Sequence, residues 1–226
     1  LFQKKINEHA IFEYFCRHSP PYLQSIYLNV FEVEPGTCLK INNKREKKKY
    51  TFYKIESGWQ TVDSKEILSN KNEILFKFKD KLNSSICKHL VSDVPVGITL
   101  SGGLDSNIIL DSLKKNNLSE FKTFTYSTLS KDNETKIVKK ILKQTTNIKH
   151  KFIKLNLNQQ ISNIKELSKY FDGPVSYPSS MSLDKLSEIA NKENYKVLIC
   201  GQGADELFFG YERYNYWKKK LYNEKD

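Results

Sequence analysis

Proline and glycine are scarce, six and nine among 226 residues, so a disordered Pro- or Gly-rich chain is not the default reading. Cysteine is scarce too: Cys16, Cys38, Cys87 and Cys200 stand far apart, without a C-x-x-C pair, and the four histidines are equally scattered. Neither a zinc site nor a disulfide framework is indicated, which fits a reducing, cytoplasmic compartment. No stretch approaches the roughly 18 apolar residues of a membrane-spanning helix, residues 1–15 lack the layout of a signal peptide, and no membrane partner is expected. Acidic residues are in deficit, 26 against 37 Lys and Arg, for a net charge of +11. Such a balance admits a nucleic acid, a polyphosphate ligand or a solvated lysine-rich surface. The lysines are spread along the whole chain, which favours the last for most of the charge. The densest run, Lys44-Arg45-Glu46-Lys47-Lys48-Lys49, lies between apolar segments without interleaved aromatics and reads as a solvated hairpin or loop.

Aromatic residues are plentiful and the length suits one or two domains with a real core. Residues 1–60 read as one unit. A short helix is expected from Asn7 to Arg17, stopped by Pro20-Pro21. The alternation Ile26, Leu28, Val30 suggests a strand before a Pro35-Gly36 turn, followed by short runs at 38–41 and 49–55. This β-rich material has too little mass for a core of its own. From Asp63, a cap with Glu66 three residues on, apolar positions recur at helical spacing to Val91 and predict one long helix.

Strands and helices then alternate. Expected strands are 94–100, 121–127, 151–157 and 196–200; expected helices are 106–115, 134–144, one through Ile161, Ile164 and Leu167, and one through Leu183, Leu186 and Ile189. This order predicts an α/β fold with a doubly wound parallel sheet, whose ligands bind beyond the carboxyl ends of the strands. Two glycine-rich stretches lie at such ends.

In Ser101-Gly102-Gly103-Leu104-Asp105-Ser106, glycines permit a sharp turn and a close approach to backbone amides, and the following helix offers free N–H groups. That is an anion cradle, most naturally for phosphate. It is not a Walker A loop, since the spacing and the lysine are missing. Asp105 would repel phosphate unless Mg2+ bridged the two. Gly201-Gln202-Gly203-Ala204-Asp205-Glu206 has the same character, so Asp105 and Asp205 could share one metal. A plain turn followed by an ordinary helix cap accounts for either loop alone.

"DVPVGITLSGGLDSNIIL" is similar to the pyrophosphate-binding loop of glutamine-dependent asparagine synthetases, and "LICGQGADELFFGYERY" resembles their second signature. "PPYLQSIYLNVFEVEPGTCLKI" resembles the tail of that family's glutaminase domain and its linker. The resemblance implies an adenine nucleotide alpha-hydrolase-like sheet over 61–226, preceded by a glutaminase remnant over 1–60. It implies an ATP-dependent amide ligase: an aspartate carboxylate attacks the α-phosphorus of ATP, pyrophosphate leaves, and ammonia derived from glutamine displaces AMP to give asparagine. Carried over by position, Leu100, Tyr126, Cys200 and Gly201 would contact adenosine. Ser101, Gly102, Gly103, Asp105 and Ser106 would hold pyrophosphate, and Asp105 and Asp205 would bind Mg2+. Asp105 and Gln202 would take the catalytic places.

Three departures bear on that reading. The family commonly has glutamate where Gln202 stands, and an amide cannot serve as a base near neutral pH. Cys200 replaces the usual serine. The glutaminase nucleophile and the later part of the synthetase domain have no counterpart, and the chain opens on Leu1, so a fragment of a longer protein is expected, with a homodimer left open. Alternatives are an amidotransferase for another acid, such as a sugar acid in surface-polysaccharide synthesis, a transfer-RNA-modifying ATP pyrophosphatase, and a nucleotide-binding but inactive piece. Tyr211, Tyr214, Tyr216 and Trp217 could line a substrate pocket, but at such spacing packing against an absent C-terminal segment is the expected role.

Overall fold

The structure, a computed structural model, describes residues 4–58, 70–116, 121–128, 133–145, 148–171, 173, 175 and 177–223. The chain forms two compact units, Leu1–Ile74 with Ile164–Tyr177, and Leu75–Asn163 with Pro178–Asp226.

In the first unit, helix α1 (Glu8–Arg17) begins at Asn7, whose side chain accepts the Ala10 N–H at 3.2 Å. This satisfies one of the amides that a helix start leaves open, and Glu8 and Arg17 complement the two ends of the dipole. The expected strand over 26–30 is a turn instead. Leu23 and Asn29 carry positive φ (59° and 64°) and the Ser25 N–H donates to the Val30 carbonyl. Pairing there is limited to isolated bridges at Ile6–Tyr27 and Gln24–Phe31. Alternation alone makes no strand where the backbone reverses every few residues. The lysine-rich run is a hairpin: β1 (Thr37–Ile41) pairs antiparallel with β2 (Lys47–Thr51). The Asn42 carboxamide oxygen closes its loop by accepting the amides of Lys44 and Glu46. The strand expected over 49–55 thus starts earlier and ends at Thr51, because Phe52 and Tyr53 both turn their N–H groups to the Gly36 carbonyl. Residues 164–177 join this unit through Gly173, where a Cβ would stand 3.0 Å from the Tyr14 ring, and through the Tyr177–His18 ring contact.

Helix α2 (Lys71–His89) is the described part of the long helix; the Asp63–Glu66 cap lies outside the described residues. The second unit then follows the expected alternation: β3 (Val96–Thr99), α3 (Leu104–Lys115), β4 (Lys122–Thr128), α4 (Asn133–Lys143), β5 (Lys149–Leu155), α5 (Leu157–Leu167), α6 (Pro178–Lys192), β6 (Val197–Ile199), α7 (Ala204–Phe208) and α8 (Glu212–Asn223). Asn156 and Gln159 start α5 by exchanging side-chain bonds with each other's backbone N–H, each at 2.9 Å.

The four strands are parallel, in the order β5-β4-β3-β6. The chain steps outward from β3 through β4 to β5, then returns to the other side of β3 as β6. The winding direction therefore reverses between β3 and β6, and such a switch point opens a crevice at the carboxyl ends of the strands.

Alternate strand residues feed two cores, one on each face of the sheet. Ile98, Leu100 and Phe121 join Ile86, Ile109, Leu110, Leu113 and Val138 from α2, α3 and α4. Phe124 and Ile153 join Leu186 and Ala190 from α6. Phe124 is wholly buried and meets the Tyr195 ring edge-on, its centroid 5.5 Å away. Gly97 makes this packing possible: a Cβ there would fall 2.7 Å from Leu198 Cδ2 and 2.9 Å from Phe124 Cε2. His150 on β5 lies with Nδ1 2.7 Å from the buried Thr123 hydroxyl and with its ring against Phe152. Burial, and secondarily the Lys122 ammonium, lowers its pKa from 6.5 to about 4.

Gly97→Ala is expected to lower unfolding stability by about 1–3 kcal/mol, read from urea denaturation, with the sheet retained. His150 predicts a pH dependence as well. Its proton binds more readily in the unfolded chain, so the stability it confers is complete above pH 6.5 and is lost as pH falls toward about 4. Urea midpoints measured across that window should fall less steeply for His150→Gln than for the wild type.

Candidate functional site

The crevice at the switch point is built from the two loops that leave β3 and β6. Register sets where the first begins: the Leu100 N–H donates to the Phe124 carbonyl at 2.8 Å, and the Leu100 carbonyl accepts the Thr125 hydroxyl. Leu100 is 2% exposed, so the chain surfaces only at Ser101. The Ser106 side chain then clasps the loop from below. Its Oγ accepts the Ser101 N–H at 3.1 Å and lies 2.9 Å from the Ser101 carbonyl, 3.2 Å from the Gly103 carbonyl and 3.0 Å from Ser101 Oγ. Ser101 Oγ in turn accepts the Gly103 N–H at 3.2 Å. A hydroxyl has one proton and two lone pairs, so Ser106, buried at 4% exposure, is spent within the loop and Ser101 is the more available of the two serines.

Gly103 is the N-cap of α3 and has no side chain to offer, so the amides of the first turn of this twelve-residue helix receive no capping group. Leu104 and Asp105 occupy that turn. Gly102 is pressed from beneath by α4, where a Cβ would lie 3.1 Å from Ile137. The resulting surface is small, backbone-lined and positive in dipole, suited to an anion.

The second loop touches the first. A Cβ on Gly201 would stand 2.7 Å from Asp105 Cβ and 3.5 Å from the Ser106 nitrogen, a distance that only glycine permits. This contact follows from the pairing of β3 with β6, in which Ile98 faces Ile199. Cys200 is half-buried beside it, Gln202 is exposed, and Gly203 takes the left-handed conformation (φ 90°) that starts α7. Tyr126, half-buried on β4, packs with the α6-side core. The structure thus gathers 100–106 and 200–203 at one crevice.

Asp205 and Glu206 lie in the first turn of α7. The Tyr211 hydroxyl donates to Glu206 Oε1 at 2.6 Å; the bond holds the Glu206 carboxyl below its ordinary pKa and pushes the phenol up to about 12. The Arg213 guanidinium sits 4.6 Å from the Tyr211 ring centre and 5.4 Å from that of Tyr214. Tyr211, expected to pack or to line a pocket, is instead tied to the acidic turn, while Tyr216 and Trp217 are exposed. A glutamate five residues before the tyrosine of a Gly-Tyr pair was the available sequence signal.

A cavity of about 560 Å³ adjoins the loops, with Asp105 and Gln202 among its lining residues and Phe78, Leu82, Ile86 and Phe208 among its apolar walls. In the sequence the α2 residues read only as the apolar positions of one long amphipathic helix.

Among the described residues no three His, Cys, Asp or Glu side chains cluster as a self-sufficient metal centre. The Asp105 carboxylate at the loop contact suits Mg2+, which binds through one or two carboxylates and substrate phosphates and keeps several waters. Of the two residues expected to hold it, Asp105 lies at the loop contact and Asp205 in the first turn of α7.

The sequence profile described as asparagine synthase matches residues 77–225. A protein of Methanocaldococcus jannaschii provisionally named glutamine-hydrolysing asparagine synthetase 2 is 32% identical over 212 residues, covering 92% of this chain and 39% of its own. Glutamine-hydrolysing asparagine synthetase 1 of Bacillus subtilis is 26% identical over 210 residues, covering 93% of this chain and 32% of its own. The chain thus spans 32% to 39% of the length of these relatives. Among solved structures, the U34-tRNA thiolase NcsA of Methanococcus maripaludis aligns with a TM-score of 0.42 at 18% identity, over 59% of this chain and 47% of that one. With a profile match over most of its length and a relative at 32% identity along nearly all of it, the chain belongs to the asparagine synthase family.

Proposed function

We propose that this chain is the ATP-binding part of an ATP-dependent amide ligase that adenylates the side chain of aspartate and passes it to ammonia. The observation that carries the reading is the contact of Gly201 with Asp105, which puts both glycine-rich loops at the mouth of one switch point. The backbone of Ser101, Gly102, Leu104 and Asp105 receives the β- and γ-phosphates, with the Ser101 hydroxyl beside them. Cys200 and Gly201 flank the nucleoside. The acceptor carboxylate oxygen attacks the α-phosphorus, the bond from that phosphorus to the bridging oxygen breaks, and pyrophosphate departs with the electron pair. Fixed amides aimed at the departing group stabilise the charge as it develops there. Asp105 and Asp205 would hold Mg2+, which would neutralise part of that charge. Ammonia then attacks the acyl carbon, loses a proton, and AMP leaves.

Residues 1–60 are read as the tail of a glutaminase domain that would supply the ammonia. Gln202 favours a second reading, in which the acceptor is another carboxylic acid. An exposed carboxamide can donate to a carboxylate and orient it but cannot take its proton.

ATP–pyrophosphate exchange in the natural polypeptide that carries this chain separates these readings. Aspartate-dependent exchange is expected, reduced about 10²- to 10³-fold by Asp105→Asn. Exchange with a different acid, and none with aspartate, would transfer the assignment to the second reading. Absence of exchange with every acid, while Mg2+-ATP still binds, would refute the ligase assignment.

A further inference from the structure

We infer that the turn 209–211 is a positioning device for Asp205, and that Gly210 is the residue on which it depends. The inference rests on the metal-holding role proposed for Asp205.

The end of α7 folds back on its own first turn. Phe209 caps the helix in the left-handed conformation (φ 58°), and its N–H and that of Gly210 both turn to the Asp205 carbonyl, the latter at 3.1 Å. A bulky aromatic residue is rare at such a φ, where glycine or asparagine is usual. Strain of that kind persists only where the surroundings impose it. Here the imposed result is local: Gly210 is brought against the Asp205 side chain. A Cβ on Gly210 would fall 1.9 Å from Asp205 Oδ1 and 2.9 Å from Cγ, far inside any van der Waals contact. The φ of Gly210 is not in the left-handed region, so backbone conformation does not demand glycine there. The demand comes from the carboxylate.

Next in the chain, the Tyr211 hydroxyl takes the neighbouring Glu206 carboxylate at 2.6 Å. The turn therefore treats two adjacent acidic side chains differently. Glu206 is engaged by a hydrogen-bond donor, and Asp205 is seated against the bare Cα of Gly210. A side chain at 210 would force the Asp205 carboxylate to another rotamer while the helix turn, held through backbone bonds, stays in place. Gly210 touches no ligand in this scheme and acts through Asp205 alone.

The test is a double-mutant cycle read by binding. Kd values for Mn2+-ATP and for metal-free ATP, and thermal midpoints, are measured for wild type, Gly210→Ala, Asp205→Ala and the pair. Gly210→Ala is expected to weaken Mn2+-ATP binding about 10- to 100-fold, the range for residues that orient a metal ligand, with metal-free ATP binding and thermal midpoint nearly unchanged. In the Asp205→Ala background the same substitution should cost nothing further. An equal cost with and without Asp205, or loss of metal-free binding, would show a structural role and overturn the inference. Wild-type behaviour of Gly210→Ala while Asp205→Ala weakens binding would overturn it and leave the metal reading standing. An unaltered Asp205→Ala would remove both. Should Gly210→Ala fail to fold, the pair lacks the offending carboxylate and is expected to fold; continued unfolding of the pair would count against the inference.

Discussion

The site depends on one close approach: the backbone of Gly201 lies against the side chain of Asp105, too near for any Cβ to intervene. Parallel pairing of β3 with β6 forces it. Once Ile98 and Ile199 share a rung, the two chains leaving that edge emerge side by side, and each must turn at once to enter its helix. Glycine is needed where they meet. Everything positioned above the sheet, from the uncapped first turn of α3 to the acidic turn of α7, inherits its place from that rung.

Below the loops, the structure commits hydrophobic burial and internal hydrogen bonds to fixing them. Gly97 allows Phe124 and Leu198 to close the core directly under the start of the first loop, and a fully buried phenylalanine contributes about 1.5–3 kcal/mol. Ser106 ties the loop's beginning to its end. The loop amides are thereby held before any ligand arrives, which is the condition under which backbone dipoles stabilise developing charge without reorganising. A hydroxyl placed to clasp the loop serves binding by preorganisation, a different physical task from direct contact with phosphate.

Much of this was legible in the sequence. The alternation of apolar runs with amphipathic stretches predicts the parallel sheet, and the two glycine-rich stretches fall where strands end. Local pattern failed where partners decide the outcome. Ile26, Leu28 and Val30 alternate as a strand would, but positive φ at Leu23 and Asn29 makes a turn of them. The strand after the lysine run stopped early because Gly36 captured the amides of Phe52 and Tyr53. Spacing also could not show that 164–177 returns to the N-terminal unit. Within the site, the roles of Ser106, Tyr211 and Gly210 arise from contacts between a residue and a backbone atom or side chain several positions away. Composition carries no trace of those contacts.

The central claim is that the loops 101–106 and 200–203 together receive ATP, the phosphates on the first and the nucleoside beside the second. Amide chemical shifts recorded during titration with Mg2+-ATP test it most directly. The account predicts the largest changes at Gly102, Leu104, Asp105 and Gly201, with Asp205 shifting only when the metal is present. Changes confined to other regions, or identical with and without metal at Asp205, would contradict it.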